Sequence, residues 1–109
     1  MSTTCLEIVK WKIKEGVPEE SIIGAVNNMV ADLKQCPGFI QQALYKINET
    51  WVDVYYWKDV HSAHASNAFM TGKDSLNTLM NIIDANSVSI EVSEPVQASG
   101  DLNISFNEC

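Results

Sequence analysis

The sequence predicts an α+β domain in which two helices cover one face of a four-stranded antiparallel sheet. Three observations predict it. Alternating apolar residues indicate four short strands, a 3.6-residue periodicity indicates two helical regions, and the order is β-α-β-β-α-β. That order is the ferredoxin-like split motif. A chain of 109 residues is long enough for one such domain with a modest core.

The first strand and the first helix have clear patterns. Residues 5–14 alternate, which places Glu7, Val9 and Trp11 on one strand face. A Gly-Val-Pro break follows the strand. Residues 18–35 then carry apolar side chains at helical spacing, with acidic residues in the first turn, where the helix dipole favours them.

The second and third strands are predicted over residues 39–48 and 51–58, joined by a tight turn as a hairpin. The alternation in the second strand assigns four residues to one face: Phe39, Ala43, Tyr45 and Ile47. In the third strand, Trp51, Asp53 and Tyr55 share one face with Trp57.

A second helical region is predicted from residue 59 to about residue 84, interrupted near 71–73. A fourth strand over 87–93 ends before Pro95. The domain is therefore predicted to span residues 1–96, followed by an acidic tail over 97–109. The tail is either disordered or a fifth edge strand, because its apolar residues alternate.

The richest segment runs from Trp51 to Phe69, where a strand ends on a tryptophan and turns directly into a helix. Asp59 is placed to cap that helix, and His61 and His64 lie in its first turns. We expect any ligand site here. The predicted ligand-binding residues are Trp11, Trp51, Trp57, Asn67 and Phe69.

Each of these features has a plainer interpretation. The aromatic rings either fill the core or form the walls of a pocket. Asp53 would be costly to bury without a partner, which favours a place at the sheet rim over a lysine pair or a pocket. The two histidines are spaced i, i+3 and favour a solvated helix face over a metal site, because no further ligand is positioned to complete one.

Composition excludes several classes of function. The net charge is −7, and the seven basic residues are all lysines, so nucleic-acid binding is not expected. No apolar run reaches the roughly 20 residues that a membrane span needs. Three widely spaced cysteines and no signal-peptide pattern predict reduced thiols and a cytoplasmic location.

Over residues 5–95 the chain resembles the dimeric α+β barrel superfamily, in its small antibiotic-biosynthesis-monooxygenase-like branch. The resemblance rests on the element order, the Pro37-Gly38-Phe39 turn, and the run from Val54 to Asp59 that enters the second helix. It implies a homodimer with a pocket between sheet and helices for a small apolar or aromatic molecule. It also implies chemistry without a metal or other cofactor, because in this class the substrate anion itself activates oxygen.

The chain departs from the family pattern in two respects. Many relatives carry a histidine nine residues after the strand-ending tryptophan, and here that position is Ser66. His64 lies two residues earlier, about 200° away around the helix. The asparagine, tryptophan and histidine set of the haem-degrading branch does not map cleanly onto this chain.

Three hypotheses follow. The first is a monooxygenase-like enzyme that acts on an aromatic or quinol-type substrate, with His61 or His64 as the candidate base and Tyr55 as a hydrogen-bond donor. The second is a non-catalytic ligand-binding or stress-response dimer with the same pocket. The third is a structural pairing module.

Overall fold

The structure, a computed structural model that describes residues 4–100, has the predicted α+β fold. The elements are β1 Cys5–Ile13, α1 Glu19–Leu33, β2 Phe39–Ile47, β3 Thr50–Trp57, α2 Val60–Met70, α3 Asp74–Ile82 and β4 Ile83–Ser93. The sheet order is β2-β3-β1-β4, and neighbouring strands are antiparallel.

The second helical region consists of two helices, separated at the predicted interruption. Asp59 caps α2 as expected, since its Oδ1 accepts a hydrogen bond from the Ser62 amide at 2.7 Å. Gly72 has a φ of +84° and turns the chain between α2 and α3. The order is therefore β-α-β-β-α-α-β.

The two faces of the sheet differ in their cover. The helices bury one face, where Trp11, Trp51, Tyr55 and Trp57 belong to the hydrophobic core. The opposite face, which we call the open face, has no helix on it. Its apolar side chains are partly or largely exposed within the described chain: Leu6, Ile8, Ala43, Tyr45, Ile47, Val54 and Tyr56.

The prediction for Phe39 was wrong. The register of β2 against β3 shifts by one residue between Phe39 and Gln41. The side chains before and after this shift therefore alternate out of step with one another. Phe39 therefore pairs with Trp57 on the helix-covered face and packs edge-on against it at 5.6 Å, whereas Ala43 pairs with Val54 on the open face.

The last strand begins four residues earlier than predicted, at Ile83, which is buried and pairs with Ile13. The register shifts between Lys10 and Lys12, where Ser87 Oγ accepts a hydrogen bond from the Lys12 amide at 2.8 Å. This irregularity explains why the start of the strand does not alternate in sequence.

The predicted tail begins beside the open face. Residues 95–99 line a shallow cavity together with Leu6 and Tyr56, and the predicted fifth strand over Leu102, Ile104 and Phe106 lies outside the described residues. Within residues 4–100, none of the helices combines the length and apolar character that crossing a bilayer requires.

The turn at Gly38, which leads into β2, packs closely against Ser62 of α2. Replacing this glycine should therefore destabilise the fold. Its φ is +88°, and an added Cβ would lie 2.6 Å from Ser62 Cβ and 3.3 Å from Lys58 Cβ. Gly16 has a similar φ of +83° but open space around it, so Gly16→Ala is the matched control. We expect Gly16→Ala to lower the unfolding free energy by about 1 kcal/mol and Gly38→Ala by roughly 3 kcal/mol. Urea denaturation measures both, and equal losses would contradict the close packing at Gly38.

Candidate functional site

A cavity of about 240 Å³ lies between the helix-covered face of the sheet and the helices. Its walls are mainly apolar. The lining residues are Glu7, Val9, Trp11, Met29, Leu33, Asp53, Tyr55, Trp57, Ser66, Asn67, Met70, Leu76, Leu79, Met80, Ile83, Val88 and Ile90. Asn67, Met80 and Ile90 are exposed, so they indicate the mouth of the cavity, between α2, α3 and β4.

Glu7 presents a carboxyl group to this cavity. The β1–β3 register pairs Cys5 with Trp57 and Glu7 with Tyr55, which brings Glu7 and Trp57 diagonally together on one face. Trp57 Nε1 donates a hydrogen bond to Glu7 Oε1 at 2.8 Å. Glu7 is only 4 % exposed. Its Oε2 has no hydrogen-bond partner among residues 4–100, and Glu7 belongs to the lining of the cavity.

The pKa of the Glu7 carboxyl group is raised above its ordinary value. Burial raises the pKa of the carboxyl group, while the Trp57 hydrogen bond and the charge of His64 oppose that rise. A carboxylate with a raised pKa binds a proton more readily than an exposed glutamate, which suits a general base.

Asp53 forms a second polar cluster beside Glu7. The Tyr55 hydroxyl group donates a hydrogen bond to Asp53 Oδ2 at 2.5 Å, and Gln42 Nε2 donates one to Asp53 Oδ1 at 2.6 Å. Both carboxyl oxygens are therefore occupied. Burial raises the pKa of Asp53 to about 6, although both hydrogen bonds act in the opposite direction. Burial and the Asp53 carboxylate raise the pKa of Tyr55 well above its ordinary value, so Tyr55 stays protonated.

The favoured rim position of Asp53 was wrong, because the side chain is only 1 % exposed. The alternative in which Asp53 belongs to a pocket describes its position. Its burial is tolerated because two neighbouring side chains satisfy its oxygens, and one of them, Gln42, comes from the adjacent strand.

Four of the predicted site residues line the cavity: Trp11, Tyr55, Trp57 and Asn67. Trp51 is buried next to it and stacks on Trp11, with ring centroids 5.9 Å apart. Phe69 lies at the surface, where the Lys73 ammonium sits 4.5 Å above its ring.

The two predicted bases occupy a different position. His61 and His64 are exposed on α2 and are not among the residues that line the cavity. In α2, Ser66 and Met70 face the cavity instead. Within residues 4–100, no three histidine, cysteine, aspartate or glutamate side chains are grouped as a metal ion would require.

Sequence reasoning did not select Glu7 as a functional residue. The signal was present, because an acidic residue stands on the apolar face of the first strand, in line with Val9 and Trp11. A charged residue that alternation places in a core needs either a partner or a function.

Comparison with solved structures finds the same fold in proteins that are only 12% to 15% identical to this chain. SnoaB from Streptomyces nogalater, a cofactor-independent oxygenase, superposes with a TM-score of 0.72 at 12% identity, over 93% of this chain and 98% of SnoaB. A protein from Nitrosomonas europaea, provisionally assigned as an antibiotic biosynthesis monooxygenase, has a TM-score of 0.70 at 14% identity, over 92% and 97% of the two chains. A conserved protein from Methanosarcina mazei has a TM-score of 0.69 at 15% identity, over 84% and 92%.

These similarities confirm the predicted fold resemblance. At such low identity they establish a shared fold, which does not by itself decide an activity. No protein-family model and no curated protein sequence matches the chain.

The raised pKa of Asp53 predicts a specific pH dependence of stability. Folding raises this pKa from 3.8 to about 6, so the folded protein holds the proton more tightly than the unfolded chain. The stabilising contribution is complete below about pH 4 and is lost as the pH rises through 6. It amounts to about 3 kcal/mol.

Asp53→Asn should remove that part of the pH dependence. We expect the unfolding free energy of the wild type, relative to Asp53→Asn, to fall between pH 4 and 7 in urea titrations. Asp84→Asn, at an exposed aspartate, is the control and should follow the wild type. Parallel curves for wild type and Asp53→Asn would show that Asp53 titrates as an exposed group does.

Proposed function

We propose that the protein is a cofactor-independent oxygenase that converts a hydroxylated aromatic ring into a quinone. One observation carries the proposal: a buried carboxylate, Glu7, lines an apolar cavity with aromatic walls and has one oxygen atom without a partner among residues 4–100. The fold shared with an oxygenase that needs no cofactor supports the same class of reaction.

The reaction balances with dioxygen as the only co-reactant. Glu7 removes the proton of the ring hydroxyl, and the resulting anion transfers one electron to dioxygen. The ring radical and superoxide combine at a ring carbon that bears hydrogen, which forms a carbon–oxygen bond and a peroxide. Loss of water from the peroxide, with that hydrogen, leaves a second carbonyl. One oxygen atom enters the product, the other becomes water, and the substrate supplies the electrons.

The site offers what this sequence of steps requires. The apolar lining admits dioxygen and keeps water away from the ring anion. Glu7 holds the proton that the peroxide later needs, because burial raises its pKa. Trp57 orients the carboxylate through Oε1 and leaves Oε2 for the substrate. Asp53 has both oxygens engaged and acts as a positioning residue for Tyr55.

The proposed base can be tested by one isosteric substitution. Glu7→Gln removes the proton acceptor and keeps the side-chain shape, so oxygen uptake with 1-naphthol should fall at least about 100-fold. Glu91→Gln makes the same change of charge at an exposed residue of β4 and should leave uptake within about twofold.

The histidine hypothesis makes the opposite prediction in the same assay. His61→Ala and His64→Ala should retain uptake within about twofold if Glu7 is the base. Full activity in Glu7→Gln, together with loss of activity in either histidine variant, would show that a histidine of α2 is the base and Glu7 is not.

A non-catalytic ligand-binding protein is the second candidate. The observation that favours it is the position of His61 and His64 outside the cavity lining, which leaves no histidine around the ligand space. Saturable binding of hydroxylated rings without oxygen uptake, by a folded wild type, would establish this function and eliminate the oxygenase.

The open face of the sheet supports a homodimer. It carries Tyr45 and Ile47, which are 48% and 59% exposed, next to the half-buried Ile8 and Val54. An apolar cluster of this kind on a sheet face is covered in most proteins. We propose that a second copy of the chain covers it.

Native mass spectrometry tests the dimer. We expect a species near twice 12.1 kDa, and we expect Val54→Glu to convert it to a monomer, because the change puts a charge at the centre of the interface. Ile23→Glu, at a 47% exposed residue of α1, should remain dimeric. A monomeric wild type would contradict the pairing.

A further inference from the structure

The walls of the cavity select the charge of a ligand. Glu7 and Asp53 both line it, and no lysine or histidine is among the lining residues. An anionic ligand would bring a third acidic group into a space of low dielectric constant without a basic partner. Like charges confined together are strongly disfavoured there.

The hydrogen bonds inside the mouth select the polarity of the ligand. Three side-chain donors on the walls are already used: Trp57 Nε1 donates to Glu7, the Tyr55 hydroxyl donates to Asp53, and Ser66 Oγ donates to a backbone carbonyl at 2.6 Å. Trp11, which also lines the cavity, has an indole N–H without a hydrogen-bond partner among residues 4–100. Glu7 Oε2 is an acceptor without a partner there, so a ligand that brings its own donor satisfies this buried carboxyl group, whereas a ligand without a donor leaves it unpaired.

The volume of the cavity limits the size of the ligand. An apolar cavity of about 150 Å³ is enough to hold one benzene ring. By proportion, the 240 Å³ available here corresponds to about ten ring atoms. That is the size of two fused six-membered rings, and three fused rings exceed it.

From these three constraints we infer that the ligand is an uncharged molecule of one or two aromatic rings whose O–H group donates to Glu7 Oε2, and that anionic and three-ring compounds are rejected. The choice of a hydroxyl group rests on the proposed oxygenase function, which needs a ring that becomes an anion when it loses a proton. The limits on charge and size rest on the cavity alone.

Isothermal titration calorimetry at pH 7 with four matched compounds tests the inference. The probe is 2-naphthol, which is uncharged at this pH. In 2-methoxynaphthalene the donor is absent, in 2-naphthoate the hydroxyl is replaced by a carboxylate, and in 2-hydroxyanthracene a third ring is added. We expect saturable binding of 2-naphthol and at least about tenfold weaker binding of each of the other three.

The variant Glu7→Gln assigns the selection to one side chain. Its amide can donate to a carboxylate, so the preference for 2-naphthol over 2-naphthoate should shrink at least about tenfold. Glu91→Gln should keep the full preference. If Glu7→Gln does not fold, the four compounds on the wild type still decide the inference.

Equal affinity for 2-naphthol and 2-naphthoate, tight binding of 2-hydroxyanthracene, or no binding of 2-naphthol would each overturn the inference. Selective binding of 2-naphthol without oxygen uptake would remove the proposed oxygenase function and leave the inference standing. Oxygen uptake with anionic or three-ring substrates would overturn the inference and leave the proposed oxygenase function standing.

Discussion

The hydrogen bond from Trp57 Nε1 to Glu7 Oε1, 2.8 Å long, is the interaction on which the site depends. It links the end of β3 to the neighbouring strand β1, two residues before Asp59 caps α2. Trp57 is completely buried and packs against Phe39 and Tyr55. A buried carboxylate without a partner would be strongly destabilising. The indole N–H stabilises Glu7 inside the protein and still leaves one of its oxygens free.

The same arrangement explains why the cavity is selective. The network of Asp53, Tyr55 and Gln42 uses its own donors and acceptors internally, so it stiffens the wall and offers a ligand little new hydrogen bonding. On the opposite side, α2 presents the small Ser66 to the sheet. A larger side chain at this position would reduce the volume of the cavity. The chain thus keeps an unfilled volume next to a buried carboxyl group that has one oxygen atom without a partner among residues 4–100.

The order of strands and helices could be predicted from the sequence, because the periodicity of each element depends only on residues that are close in the chain. The two-residue repeat placed Glu7 with Trp11 on one face of β1 and Trp57 with Tyr55 on one face of β3. It failed for Phe39 and for the start of β4, because a register shift changes the facing by one residue and leaves no local pattern. Helical spacing related His61, His64 and Ser66 to one another, but not to the sheet, since the rotation of α2 is set by tertiary packing. The burial of Asp53 was hidden for a similar reason, because its partner Gln42 lies on another strand.

A crystal structure of the protein with 2-naphthol would show whether Glu7 binds the hydroxyl group, because it locates that group relative to the two carboxyl groups. We expect the naphthol rings between Trp57, Tyr55 and Leu79, with the hydroxyl oxygen about 2.6 Å from Glu7 Oε2 and the Trp57–Glu7 hydrogen bond intact. A naphthol molecule whose hydroxyl group points to the mouth at Asn67, or displaces Tyr55 from Asp53, would contradict the role assigned to Glu7.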